Sequence, residues 1–173
     1  MIGEIRDLET ASIATNASLT GHLVFSTLHT NDAPSAVARL IDIGVQPFLV
    51  ATSIRAIMAQ RLVRRLCPSC REPGRLSASE LRGLQIEASQ LEDASVMRPV
   101  GCERCRQTGY KGRIGIFEIF EIDDEVRRMV NNRTSTMALR QRARALGMRT
   151  LREDGVRKVL AGLTSAEEVI SIT

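Results

Sequence analysis

Four cysteines constrain this 173-residue chain more than any other feature: Cys67-x-x-Cys70 and, after 31 intervening residues, Cys102-x-x-Cys105. A two-residue gap lets both sulfurs of a pair face one ion from a single tight turn. Two such knuckles supply the four thiolates of a closed tetrahedral site. The pattern predicts a structural zinc ion rather than a catalytic one, because no ligand position is left open. Two disulfides are the first alternative and would need an oxidising compartment; an iron-bearing or empty set of thiols is the second. Arg64, Arg65, Arg71, Arg104 and Arg106 flank the pairs and are expected to offset the negative charge of a four-thiolate cluster.

The cysteine pairs also divide the chain. Residues 1–66 alternate strand-like and helix-like stretches, residues 67–105 form the cysteine-bracketed lobe, and residues 106–173 run from a β-rich connector into a helical lobe. In the first segment Ile2–Asp7 resembles the end of a strand, and residues 9–19 form a helix. His22–His29 is a continuous apolar run suited to a strand buried on both faces of a parallel sheet. Asn31 and Asp32 are candidate caps for a helix carrying Val37, Leu40 and Ile41. Val50, Ile54, Ile57 and Met58 recur at helical spacing after Pro47. In the middle segment Ser77-x-x-Glu80 predicts a capping box. The last segment predicts a strand or hairpin through Thr108–Phe120, then helices starting at Asp123 and around Leu139 and Val156, and a fourth capped by Thr164 and Glu167. The fold class expected from this order is α/β.

Hydrophobic residues make up 43% and charged residues 25%, which is the balance of a folded globular chain. No apolar run reaches the ~18 residues of a membrane span, and nothing near Met1 reads as a signal peptide. A cytoplasmic location is therefore expected. The net charge of +4 is dispersed along the chain and aromatic residues are 3%, too few for a base-stacking platform, so a nucleic-acid partner is not expected.

Longer runs carry a family resemblance. Gly3-Glu4-Ile5-Arg6-Asp7-Leu8-Glu9-Thr10-Ala11 resembles the end of the Walker B element of the type II secretion and type IV pilus assembly ATPases. Thr20-Gly21-His22-Leu23-Val24-Phe25-Ser26-Thr27-Leu28-His29-Thr30-Asn31-Asp32-Ala33 resembles their His box. Ala59–Cys70, Thr108–Arg113 and Leu151–Lys158 continue the match over essentially the whole chain. The resemblance implies part of a RecA-like P-loop core at 1–66, with a zinc-binding insertion and a C-terminal helical lobe. It implies a hexameric motor, peripheral at the inner membrane, that couples ATP hydrolysis with Mg²⁺ to pseudopilus or pilus assembly. Its implied partners are inner-membrane platform and cytoplasmic-domain proteins of that machinery. Glu4 matches the Walker B acid, and His29 and His22 match the His box, near the γ-phosphate. Arg6 and Asp7 are expected to brace the strand end. The tetracysteine element matches the secretion and pilus-extension branches, and the tail from Asp123 to Leu160 leans towards secretion.

The 173 residues contain no G-x-x-x-x-G-K-[ST], so the loop that cradles phosphates is not among them. The chain alone is therefore expected to be inactive. Two other functions stay open on the sequence. One is a zinc-stabilised module that docks on a platform protein without catalysis; the other is a zinc-ribbon nucleic-acid binder, which the dispersed charge disfavours.

Overall fold

Most helix starts in this chain are set by side-chain hydrogen bonds to the first turn. The computed structural model describes residues 1–173. Helix α1 (Leu8–Leu19) begins where Asp7 Oδ1 accepts the Thr10 N–H at 2.8 Å. Helix α2 (Ser35–Asp42) begins where Asp32 Oδ1 accepts the Ser35 N–H at 2.8 Å, and it buries Val37 and Leu40. Helix α3 (Pro47–Ser53) opens on a proline, whose missing N–H costs nothing in a first turn. Strand β1 (Ala56–Leu66) follows, then β2 (Glu72–Pro73), α4 (Ala78–Leu84), β3 (Met97–Arg98) and β4 (Tyr110–Glu121). The chain closes with α5 (Asp124–Asn131), α6 (Thr136–Ala145), α7 (Leu151–Leu160) and α8 (Ala166–Ile170). The Ser77–Glu80 capping box of α4 is present with both halves made.

The chain forms two units by proximity, each assembled from two stretches rather than from consecutive segments. The first comprises residues 1–59 and 118–148, the second residues 60–117 and 149–173. In the first unit α3 packs on α1, α2 and α5, and α6 packs on α2 and α5. Its core includes Ala11, Val37, Leu40, Val50, Val126, Val130 and Leu139, all buried. In the second unit α4, α7 and α8 pack on one another around Leu84, Ile86, Val156, Val159, Ala166 and Val169. A Cβ at Gly155 would lie 2.4 Å from Val169 Cγ1, so the close approach of α7 to α8 depends on that glycine. Strand β1 pairs with β4, and β2 pairs antiparallel with β3.

Three expectations change. The helical spacing of Val50, Ile54, Ile57 and Met58 does not continue as a helix: α3 stops at Ser53, and Ile57 and Met58 lie on β1. Tertiary pairing with β4 overrides a short-range pattern there. The run His22–His29 is extended but not a regular strand, and it is not buried on both faces, since Leu23 is 75% and Phe25 63% exposed. Burial on both faces requires covering layers that these 173 residues do not place over it. Finally, α8 is capped by Ser165, whose Oγ accepts the Glu168 N–H, and not by Thr164. Thr164 is fully buried and donates to the Arg64 carbonyl at 2.7 Å instead.

Candidate functional site

The four cysteine sulfurs converge within 4.8 Å of one another in the second unit. Sγ–Sγ separations are 4.0 Å for Cys67–Cys102 and 3.8 Å for both Cys70–Cys105 and Cys102–Cys105. A tetrahedron of thiolates at ~2.3 Å from a central ion has edges of ~3.8 Å, so the donor set fits a metal ion. A disulfide would bring two sulfurs to ~2.05 Å, and all four cysteines are free.

Backbone geometry builds the second knuckle. Arg106 and Gln107 take positive φ of 54° and 63°, which turns the chain after Cys105 back over its sulfur. The N–H groups of Cys102 and Gly109 then both point at Cys105 Sγ, each at 3.2 Å. Burial works against a charged thiolate here, but these two donors outweigh it and hold the Cys105 thiol down to about 6. At Cys70 burial dominates and pushes the thiol up to about 11. Gly109 sits at φ +77°, and a Cβ there would meet Pro99 Cβ at 2.5 Å. Its N–H donor depends on its being glycine.

The flanking arginines are largely engaged elsewhere. Arg64 stacks over the Tyr110 ring at 4.1 Å and pairs with Glu168 at 2.6 Å. Arg71 donates to the Gly162 carbonyl at 2.6 Å. Arg104 reaches Ser69 Oγ, inside the first knuckle, at 3.3 Å. The donors aimed at sulfur are peptide N–H groups, which composition does not reveal; the run Thr108–Gly109 just after Cys105 was the one available signal.

In the first unit two extended runs bring Glu4 and His29 together. The Ile2 and Ile5 N–H groups donate to the Phe25 and Thr27 carbonyls at 2.9 Å, and Thr27 Oγ1 donates to the Gly3 carbonyl at 2.8 Å. This lacing sets Glu4 opposite His29, with Glu4 Oε1 2.6 Å from His29 Nε2. The contact is close but not aligned as a hydrogen bond, so Oε1, itself shielded from solvent, has no hydrogen-bond donor. Arg6 lies 2.7 Å from Glu4 Oε2. The Arg6 guanidinium, and to a lesser degree His29, hold the Glu4 carboxyl below the usual carboxylate range. The His29 side chain is 85% exposed and that of Glu4 23%, so the pair is a largely covered carboxylate with a solvent-facing partner. Asp7, expected beside Arg6 as a brace, caps α1. His22 is elsewhere: its Nδ1 lies 3.2 Å from Thr20 Oγ1, and it lines a cavity of about 490 Å³ with Thr15, Ser18, Phe25 and Arg55, which neither Glu4 nor His29 lines.

Residues 1–171 match the family model described as type II/IV secretion system protein. The chain is 54% identical over its full length to the type II secretion system protein HxcR of Pseudomonas aeruginosa, of which it covers 33%. It is 50% identical to type II secretion system protein E of Aeromonas hydrophila, covering 34% of it. It is 47% identical to the type IV pilus assembly ATPase PilB of Thermus thermophilus, covering 20% of it. The chain thus spans about a third or less of these relatives. Among solved structures, the pilus retraction motor PilT with bound ADP aligns with TM-score 0.63 at 22% identity, over 99% of this chain and 38% of that one. That likeness establishes an α/β fold of the same kind.

Proposed function

The chain belongs to the type II/IV secretion system protein family, and on that premise we propose that residues 1–173 are part of a cytoplasmic motor ATPase that drives pseudopilus assembly in type II secretion. Residues 1–66 contribute the C-terminal part of a RecA-like core and residues 67–105 a zinc-binding subdomain, while residues 106–173 supply a connector and helices, of which α5 and α6 pack on α2 and α3 and α7 and α8 on α4. The motor works as a hexamer at the inner membrane, against platform and cytoplasmic-domain proteins of the machinery. Type IV pilus extension is the nearest alternative, since relatives of both kinds match at similar identity.

The observation that carries this reading is the convergence of Glu4, Arg6 and His29. Bound Mg²⁺-ATP brings the phosphoryl group. Glu4, kept ionised by Arg6, is suited to accept a hydrogen bond from an attacking water and to hold its orientation. His29 Nε2, when protonated, donates to a phosphate oxygen and stabilises charge that develops there. His22 serves at most a supporting part, set by its separate surroundings. The phosphate loop is not among these residues, so residues 1–173 alone hydrolyse ATP at background.

The test uses the complete protein that carries residues 1–173. Glu4→Gln is expected to lower kcat by roughly 100-fold or more, and His29→Ala by roughly 10- to 100-fold. Unchanged turnover in both would leave the zinc-stabilised docking module as the better reading. For the cysteine cluster, protein purified without added metal carries about one equivalent of zinc; absence of stoichiometric metal would refute the assignment.

A further inference from the structure

Glu118 is a charged residue on β4 that is only 5% exposed. Its Oε1 accepts the N–H of Ala33 at 2.8 Å. Ala33 lies in the loop Thr30–Pro34, which begins directly after His29 and ends at the first turn of α2. The same loop is held at a second point. Asp32 Oδ1 accepts the Ser35 N–H at 2.8 Å, and Asp32 Oδ2 accepts from Arg140 on α6 at 2.5 Å. Thr30 Oγ1 donates to the Asp32 carbonyl at 3.1 Å and tightens the turn.

His29 itself has little to hold it. Its ring is mostly in solvent and contacts Glu4 without an aligned hydrogen bond. On the Gly21 side the chain is laced to residues 2–5. On the Asp32 side its path is set by the loop, and the buried fixed point of that loop is Glu118. A hydrogen bond from a peptide N–H to a buried carboxylate is among the stronger ones, and leaving the carboxylate unpaired is costly. A buried apolar residue at position 118 would leave the Ala33 N–H to find another partner, and the loop would move.

We propose that Glu118 is a positioning residue for His29: its buried carboxylate pins the Ala33 N–H and so fixes where the loop presents the imidazole to Glu4. This rests on the reading of Glu4 and His29 as part of an ATP site. The competing account is that Glu118 only steadies the N-terminal end of α2. The two differ in coupling. A residue acting through His29 loses its effect once His29 is gone, whereas a purely stabilising one costs the same in either background.

The experiment is a double-mutant cycle in the complete protein, with kcat and KM for ATP as readouts. Glu118→Ala is expected to lower kcat roughly 10-fold, with KM changed by less than about 2-fold, because a small misplacement costs rate before binding. In a His29→Ala background the same substitution is expected to cost less than about 2-fold. Glu118→Gln, whose amide oxygen still accepts the Ala33 N–H, restores most of the rate. Glu118→Asp, which keeps the charge but falls short of Ala33, behaves like Glu118→Ala and serves if the alanine variant does not fold. Equal losses in both backgrounds, or a normal rate for Glu118→Asp, would overturn the proposal. If His29→Ala itself leaves turnover intact, the ATP-site reading fails first, and the two failures are told apart by that single variant.

Discussion

The cysteine cluster and the Glu4–His29 pair are both small polar constellations, yet they are held in opposite ways. The cysteines sit on two tight turns, with two sulfurs buried, and peptide N–H groups converge on Cys105. Glu4 and His29 come from two extended runs joined by a few backbone hydrogen bonds, and the imidazole faces solvent. The first arrangement spends its geometry on rigidity. The second leaves the imidazole in solvent beside a largely covered carboxylate. The two are thus distinguished less by residue type than by how many backbone groups hold each side chain.

Thermal melts sharpen this contrast, and the largest effect should come from the knot. Cys67→Ser, or a chelator added to the wild type, is expected to lower the melting temperature by more than about 10 °C, because a structural metal site contributes directly to folding. Circular dichroism with parallel metal analysis tests this; a melt unchanged after the metal is lost would break the comparison. Next comes Gly109→Ala, where a positive φ and the clash with Pro99 both oppose a side chain. About 3 kcal/mol is expected, read from denaturant unfolding, with weakened metal retention.

A third effect tests a clamp beside the knot. Glu168 accepts the Arg64 backbone N–H at 2.8 Å and its guanidinium at 2.9 and 2.6 Å. Glu168→Ala is expected to cost about 2 kcal/mol at neutral pH. Arg64 holds the Glu168 carboxyl below its ordinary value, so the clamp's contribution is complete above the unfolded-state pKa of ~4.3 and is lost as pH falls through the lower folded value. The stability gap between wild type and Glu168→Ala should therefore begin to narrow as pH falls below the unfolded-state value and close as it passes the lower folded one. A gap that does not narrow with falling pH would show that packing, not the ion pair, sets the cost. The smallest effect is expected at Glu4: Glu4→Gln should leave the melting temperature within about 1 °C of wild type. A drop as large as that of Glu168→Ala would mean that the second site is structural too.

How far the sequence could be read follows the same divide between local and distant. Cys67, Cys70, Cys102 and Cys105 were legible because spacing within each knuckle is a local property. So were the Asp123 cap and the Ser77–Glu80 box. The end of α3 was not, because Ile54, Ile57 and Met58 carry a helical spacing that only pairing with β4 overrules. Thr164 was mistaken for the cap because its hydroxyl is claimed by the Arg64 carbonyl, a hundred residues away in sequence. Glu118 was legible only by half: alternation with Ile114, Ile116 and Phe120 puts it on the buried face of β4, but only its partner Ala33, far back along the chain, reveals what the carboxylate does there. The meeting of Glu4 with His29 was suggested by resemblance, whereas His22 proved to lie in different surroundings.

The interleaving of the two units has a consequence for how such a chain can be made. As synthesis proceeds, residues 1–59 must wait for all of 60–117 to emerge before their own partners, 118–148, exist, and residues 60–117 then wait in turn for 149–173. The first unit is completed only when residues 118–148 have emerged and the second only with 149–173, so each carries unmatched apolar surface over a long stretch of synthesis, which favours slow, long-range closure. The same interleaving defeats dissection. A fragment cut at the outer cysteines would keep all four sulfurs but lose the Gly109 N–H that points at Cys105, together with α7 and α8, so the knot can be copied out of this protein only along with stretches that follow it much later in the chain.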